Sequence, residues 1–351
     1  MSGDVEVRES DVAQEVAELA RAILAEHSGP DVGGINRSAW NALCASGLTE
    51  LLTPIDRGGA GAGWPEVGAL LFEIGGAAAC VPVAEHDVLA GWLLDRAGLP
   101  RRGSGVRTAS LFADGVSGDG AWAREADTVV VLRANADGWT VSEIDPRAAD
   151  ISPGRNFAGE YRDLVHLGSD HEGRPVSAEL VDEFRLRLAV SRAAMIAGAS
   201  ERIVEHVVAH ATSREQFGRP LAKFQAVQQL VSQTAAEASL VSAAVDGAVS
   251  ALGRFEVTDP RGRLAVLAAA SCAAHGSAVI ARNAHQVLGA MGYTREHPLH
   301  RFTNRILAWR SEAISVRDID MALLRQATTH EPLQLWGLLV DSDSKRSQGV
   351  A

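Results

Sequence analysis

The chain has 351 residues, of which 46% are apolar, 22% charged and only 5% aromatic, and its formal net charge is -11 at pH 7. Such a length accommodates two or three domains, and a core poor in rings must rest on Ala, Val and Leu packed closely, which suits helix against helix. An acidic chain with no Lys/Arg run interleaved with aromatics excludes nucleic acid and anionic membranes as natural partners, so any anionic ligand must be met by locally placed charge.

At the N-terminus, Val12, Val16, Leu19, Ile23 and Leu24 recur at helical spacing, and a second short helical pattern over 37–46 ends at Gly47. Acids are spread through the first turns without an apolar core of signal-peptide length, and no long unbroken apolar run occurs anywhere, which points to the cytoplasm. Cys44, Cys80 and Cys272 lie far apart in apolar surroundings and read as buried free thiols, with neither a disulfide nor a metal site. LLTPIDRGGAGAGWPEV, 51–67, is rich in Gly and Pro and reads as a loop before a helix through LLFEIGGAAA.

Between about 104 and 177 the texture changes to short β-type runs, TVVVL and WTVSEI, separated by Gly, Asp, Asn and Pro. SGVRTASLFADGVSGDGAWAREAD gives turn signals and no strong strand, so the β module reads as slight. From 178 onwards the pattern is helical again. Ile196, Ile203, Val207 and Ala211 mark one stripe; Phe224, Val227, Val231 and Ala235 mark the next. Asp259-Pro260 suits an N-cap followed by proline at the first helical position, opening a third helix through Ala284, and a fourth runs over about 311–328. The expected fold is mainly α with a small β module: an N-terminal helical domain (1–103), a reduced middle β domain (104–177) and a C-terminal four-helix bundle (178–351).

Two stretches stand out. SREQFGRPLAKFQ, 213–225, falls at the corner between the first two bundle helices. A turn explains Gly218 and Pro220 but does not require Arg214, Gln216 and Phe217 together. An arginine there can fork onto a phosphate while the phenylalanine packs on a flat ring or a partner subunit, and a merely solvated corner is the alternative. In HQVLGAMGYTREHPLHRF, 285–302, Gly289 and Gly292 flank a bend; they either admit a ligand close to the backbone or cap a helix before a polar loop.

Together with LLTPIDRGGAGAG, the stretches SREQFGRPLAKFQAVQ and QVLGAMGYTREHPLHR make the chain resemble the acyl-CoA dehydrogenase family over nearly its full length. The resemblance implies FAD as cofactor, with its adenosine and pyrophosphate end reaching into the bundle of a neighbouring subunit. It implies that Arg214 meets the pyrophosphate and Phe217, with Gln216 beside it, packs next to the cofactor. Gln225, Gln286 and the Gly289 turn, continued to Gly292, would hold the adenine-side half.

The sequence also departs from the family's pattern. Neither the threonine-glutamate loop nor the glycine-serine-aspartate turn that serves the flavin ring is expected in the middle module, whose residues 108–127 read TASLFADGVSGDGAWAREAD. The family's base, which takes the α-proton of an acyl-CoA while the β-hydride leaves, has no clear counterpart. Glu312 in ILAWRSEAIS is near one expected place in a different context; Ser191 occupies the other, and Glu183, the nearest acid upstream, reads as a solvated face residue. The pattern resembles the shortened subunit of heteromeric acyl-CoA dehydrogenases of actinobacterial steroid side-chain degradation, which implies a full-length partner in an α2β2 assembly, acting on a bulky acyl-CoA. Two alternatives stand beside it: a self-sufficient homomeric enzyme using Glu312, and a flavin-less acyl-CoA-binding or structural protein.

Overall fold

The computed structural model describes residues 2–29, 33–101, 105–168, 172–329 and 336–337, with side chains from residue 11 onwards. The first layer is helical: α1 (Ser2–Glu26), α2 (Arg37–Ala45) and α3 (Trp64–Gly76), followed by a π-helical segment (Ala84–Gly91) that runs into α4 (Trp92–Arg96). The Gly- and Pro-rich stretch is a folded loop. Its ends pair through Ala62 N–H to Leu51 O, and the buried Asp87 carboxylate clamps it by accepting from Leu52 N–H and Thr53 Oγ1, each at 2.7 Å. Cys44 is exposed and Cys272 half-buried, so of the three thiols expected inside only Cys80 is buried. Helical spacing puts Cys44 on the outer side of α2, opposite the turn that buries Leu43.

The middle layer is a small sheet of seven short strands, in the order β5-β6-β2-β1-β3-β4-β7. Its strands are β1 (Arg107–Phe112), β2 (Ser117–Ala121), β3 (Thr128–Asn135), β4 (Gly138–Ile144), β5 (Asp150–Ser152), β6 (Arg162–His166) and β7 (Arg174–Val176), with β1 and β3 parallel and the other pairs antiparallel. The expected domain boundary at 103/104 lies outside the described residues.

β1 and β2 were hidden in the segment that gave no strand signal. SGDGA lacks β-propensity, but packing overrides it: a Cβ on Gly118 would stand 2.4 Å from the Phe112 ring, so only a residue without a side chain passes beneath it. Alternation along β3 divides the sheet's two faces. Val129 and Val131 join Phe112 and Val165 on one side, while Val130 and Leu132 face Trp92, Leu93 and Phe184 on the other.

The last layer is built on α5 (Glu179–Ser213), α6 (Gln225–Leu252) and α7 (Pro260–Leu288), with α8 (Leu299–Trp309) and α9 (Val316–Thr329) closing it. The Asp259 side chain caps α7 by accepting from Arg261 N–H at 2.9 Å, and Pro260 opens the helix. α3 crosses α5 at a contact of backbone on backbone: a Cβ on Gly75 would reach 1.9 Å from Met195 O, and one on Gly198 would reach 1.9 Å from Phe72 O. These two glycines set the close approach of the first layer to the last.

α8 has no counterpart among the expected helices: Arg301 and Arg305 interrupt its apolar pattern, yet Leu299, Phe302, Ile306 and Trp309 are buried at i, i+3, i+7 and i+10. The expected fourth helix begins later, at Val316. α6 and α7 each hold an apolar stretch of membrane-spanning length; α7's is 61% buried, whereas α6's is only 28% buried and largely faces outwards.

Candidate functional site

α5 ends at Ser213, where Arg214 leaves the helix in extended conformation while its N–H still donates to His210 O at 2.9 Å. The chain then turns through a minimal hairpin. Gln216 pairs with Arg219 around Phe217 and Gly218, whose φ values are 52° and 77°. Positive φ at both central residues is the turn whose twist suits a two-residue hairpin, and glycine meets that demand freely. Phenylalanine does not; the left-handed region costs it about 1–2 kcal/mol. Its ring is also 91% exposed, touching only Phe224 edge-on at 6.1 Å, while the Arg219 guanidinium lies 4.2 Å over the Phe224 ring. Strain and exposure together at one aromatic residue cost folding energy that, among the described residues, only the edge contact with Phe224 offsets.

The same corner holds one acid, Glu215, which is exposed and, among the described residues, makes no ion pair with Arg214. Arg214 and Gln225 are exposed, and among the described residues the Arg214 guanidinium makes no hydrogen bond or ion pair. Phe224 occupies the N-cap of α6 and supplies no side-chain acceptor, so the first N–H groups of a 28-residue helix stay open at their positive end. Gln216 is less available, since its Nε2 donates to Glu215 O at 2.9 Å. A guanidinium without a paired acid, an uncapped helix start and an outward-facing ring suit a diphosphate joined to a flat heterocycle. The residues thus fit the anionic end of FAD.

Helices α5, α6 and α7 alternate in direction, so the end of α7 lies at the same end of the bundle. Gly289, with φ 58°, terminates α7, and Gln286 and Gly289 are exposed there. Gly292 is buried instead: a Cβ on it would meet His285 Nδ1 at 3.0 Å and Leu288 Cβ at 3.1 Å. Its part is packing, holding the stack of Tyr293 on His285 at 4.4 Å. His297 links the two stretches, its ring 5.5 Å from His206 and 6.5 Å from His210 on α5.

Glu312 stands elsewhere, where the sheet meets the bundle, inside a buried ion network. Its carboxylate accepts from Arg192 Nε at 2.7 Å, from Arg162 Nε at 3.0 Å and Nη2 at 3.2 Å, and from Asn156 Nδ2 at 2.9 Å. Arg192 also reaches Glu85 on the π-helical segment at 2.5 Å. Arg162 continues to Glu160 at 3.0 Å, and Glu160 receives Arg305 Nε at 3.0 Å and Trp309 Nε1 at 2.8 Å. Burial alone would raise the Glu312 carboxyl, but Arg162 and Arg192 pull it down to about 2.

A carboxylate held this low, with both oxygens engaged, is a poor match for an α-proton acceptor near neutral pH. Ser191 is fully buried and donates to Arg187 O at 2.8 Å. Glu183 is buried as well, not solvated: it pairs with Arg187 at 3.0 Å and Arg96 at 3.7 Å because the start of α5 packs against α4 and the sheet. Against the expectation that the middle module lacks it, a glycine-serine-aspartate triplet does occur there, at 168–170 after β6, with Ser169 and Asp170 outside the described residues.

Sequence reading missed Arg162, Arg192, Glu85, Glu160 and Arg305. The available signal was Arg192 within LAVSRAAMIAG and Arg305 within an amphipathic stripe, since charge inside an apolar run demands a buried counter-charge.

Residues 173–311 match the family described as acyl-CoA dehydrogenase, C-terminal domain. Acyl-CoA dehydrogenase FadE34 of Mycobacterium tuberculosis (strain ATCC 25618 / H37Rv) is 29% identical over 287 residues, covering 77% of this chain; the chain spans 40% of the length of that relative. In fold the chain is similar to one in the ChsE4-ChsE5 complex from Mycobacterium tuberculosis, with a TM-score of 0.82 and 20% identity over 91% of this chain and 98% of that one. It is also similar to the Tcur3481-Tcur3483 steroid ACAD G363A variant, with a TM-score of 0.81 and 20% identity over 92% and 100%.

Proposed function

We propose that the chain, whose residues 173–311 match the C-terminal domain of acyl-CoA dehydrogenases, is a member of that family of FAD-dependent oxidoreductases acting on a CH–CH group and serves as one subunit of a heteromeric enzyme. In this reading a cytoplasmic assembly, of α2β2 composition, converts a bulky acyl-CoA, such as a steroid side-chain thioester, to the 2,3-enoyl-CoA. This chain lends the adenosine and pyrophosphate half of a FAD site, and a full-length partner supplies the flavin-ring pocket and the base. FAD, when bound, accepts the hydride.

Each residue of the chain then has a binding part. The Arg214 guanidinium forks onto the pyrophosphate, helped by the open N–H groups of α6, so that a chain of net negative charge meets an anion through local placement. Phe217 covers an apolar edge of the cofactor or of the partner chain, and burial there returns the energy its backbone conformation costs. Gln225 and Gln286, with the Gly289 turn, offer amide and backbone groups to the adenine side. Gly292 supports them from beneath.

The observation that carries the reading is the double arginine clamp on Glu312. It supports a division of labour, because the acid nearest the expected place of a base is spent on holding sheet to bundle. That geometry weighs against a self-sufficient enzyme using Glu312. Supporting the heteromer, the two similar solved structures are named for pairs of proteins. Flavin per chain and turnover, measured on the chain alone and co-expressed with a full-length partner, test the proposal: a yellow, active preparation of the lone chain would overturn it.

A further inference from the structure

His206, His210 and Arg214 follow one another at four-residue steps, so they lie along one stripe of α5 that runs into the corner. Facing them, His297 stands 5.5 Å from the His206 ring and 6.5 Å from His210, and Phe302 of α8 backs the group 5.4 Å from His206. Among the described residues, only one nitrogen of the three rings is engaged: His297 Nδ1 accepts from Leu299 N–H at 3.1 Å.

The charges around the group are Arg202, Glu205 and Arg214 from α5 and His300 from the α8 side. Glu205 is the one acid whose charge reaches it, and Glu205 is exposed and paired with Arg202. Partial burial, followed by the neighbouring cations, holds all three imidazoles below the ordinary 6.5. A half-buried group of imidazoles beside an unpaired guanidinium is therefore short of negative charge, and an anion from outside would relieve it.

Resting on the reading of this corner as a pyrophosphate site, we infer that His206, His210 and His297 form a proton-coupled seat for the cofactor's diphosphate beside Arg214. The rings stay neutral while the corner is empty and gain protons as the dianion arrives, adding donors to those of Arg214. Binding then takes up protons, and the sign follows: affinity rises as pH falls from about 8 to about 6, by up to tenfold per pH unit for each proton taken up.

The test titrates FAD into the deflavinated assembly of this chain with its co-expressed partner, following flavin fluorescence across that range. Calorimetry near pH 7 in two buffers of different ionisation heat counts the protons. The variants are His206→Gln, His210→Gln and His297→Asn, the last retaining an acceptor for Leu299 N–H. Combined, they should flatten the pH dependence and abolish the difference between buffers, leaving binding near pH 8 and the melting temperature unchanged. Should the combination not fold, His210→Gln alone should lower the slope. Arg214→Ala should instead weaken binding across the whole range, including near pH 8, where the rings contribute no protons. FAD affinity independent of pH, with equal heats in both buffers, would refute the proton-coupled seat and leave the corner as a pyrophosphate site; no FAD binding at any pH would refute both.

Discussion

Replacing Glu312 by glutamine separates a structural carboxylate from a catalytic one. The folded carboxyl lies at about 2 against an ordinary 4.5, and its side chain is 16% exposed, so solvent screens the clamp only slightly. At ~1.4 kcal/mol per pH unit, the difference corresponds to about 3 kcal/mol of stability near neutral pH. A glutamine keeps acceptors for Arg162 and Arg192 and loses the charge, so a cost of about 2–3 kcal/mol is expected in urea unfolding at pH 7. The sign of the pH dependence follows from the lowered value. The contribution is complete above the unfolded pKa near 4.5 and disappears as pH falls through the folded value near 2, so Glu312→Gln and the parent should converge in acid. In the co-expressed assembly, turnover per bound flavin should change by less than about tenfold, because the carboxylate moves no proton. A variant of unchanged stability whose turnover falls by a factor of a thousand or more would show that Glu312 is the base and that the clamp argument is wrong.

The corner gives three further expectations. Arg214→Ala removes a guanidinium without a partner in the chain, so the variant should unfold within about 0.5 kcal/mol of the parent while flavin occupancy of the assembly drops; full occupancy contradicts the assignment. Phe217→Gly relieves a side chain held at φ 52°, so chemical denaturation should find the lone chain no less stable, by up to about 1 kcal/mol, while the assembly retains less flavin on dilution. Gly292→Ala places a methyl 3.0 Å from His285 Nδ1 and 3.1 Å from Leu288, and should cost about 1–3 kcal/mol, visible as an earlier thermal transition and a broken Tyr293–His285 stack.

The helical layers were legible because Ala- and Val-rich stripes with ordinary caps state their period directly, as at Asp259-Pro260. What sequence reading lost was set by partners distant along the chain. β2 pairs with β6 and lies so close to β1 that Phe112, Leu111 O and Ser110 Oγ leave no room for anything but glycine at 118, and no local propensity records that constraint. α8 disappeared behind Arg305, whose polarity is cancelled by Glu160, a residue 145 positions earlier. The same holds for the site. Arg214, Phe217 and Gln225 are contiguous with their motif, whereas the histidine stripe needs His297 brought against α5, and the spacing of His206 and His210 does not announce that contact.

Burying Glu85, Arg192, Glu312, Arg162, Glu160 and Arg305 in one alternating array is an expensive way to join a sheet to a bundle, since apolar side chains of similar volume commonly do it at least as stably. What such an array provides is a single relative placement: a sliding of β6 against α5 or α8 by a few ångström would strand a desolvated charge, whereas an apolar contact would repack. The array therefore closes the chain's own sheet–bundle junction in one geometry, and it does so with the acid that a self-sufficient active site would need free. The Arg214 guanidinium, unpaired among the described residues, lies at the far end of α5, on the outer corner of the bundle, where the proposed function places another chain's cofactor. Rigidity at the junction and unsatisfied charge at the corner are two sides of one arrangement, in which the chain keeps its shape from within and completes its chemistry at its edge.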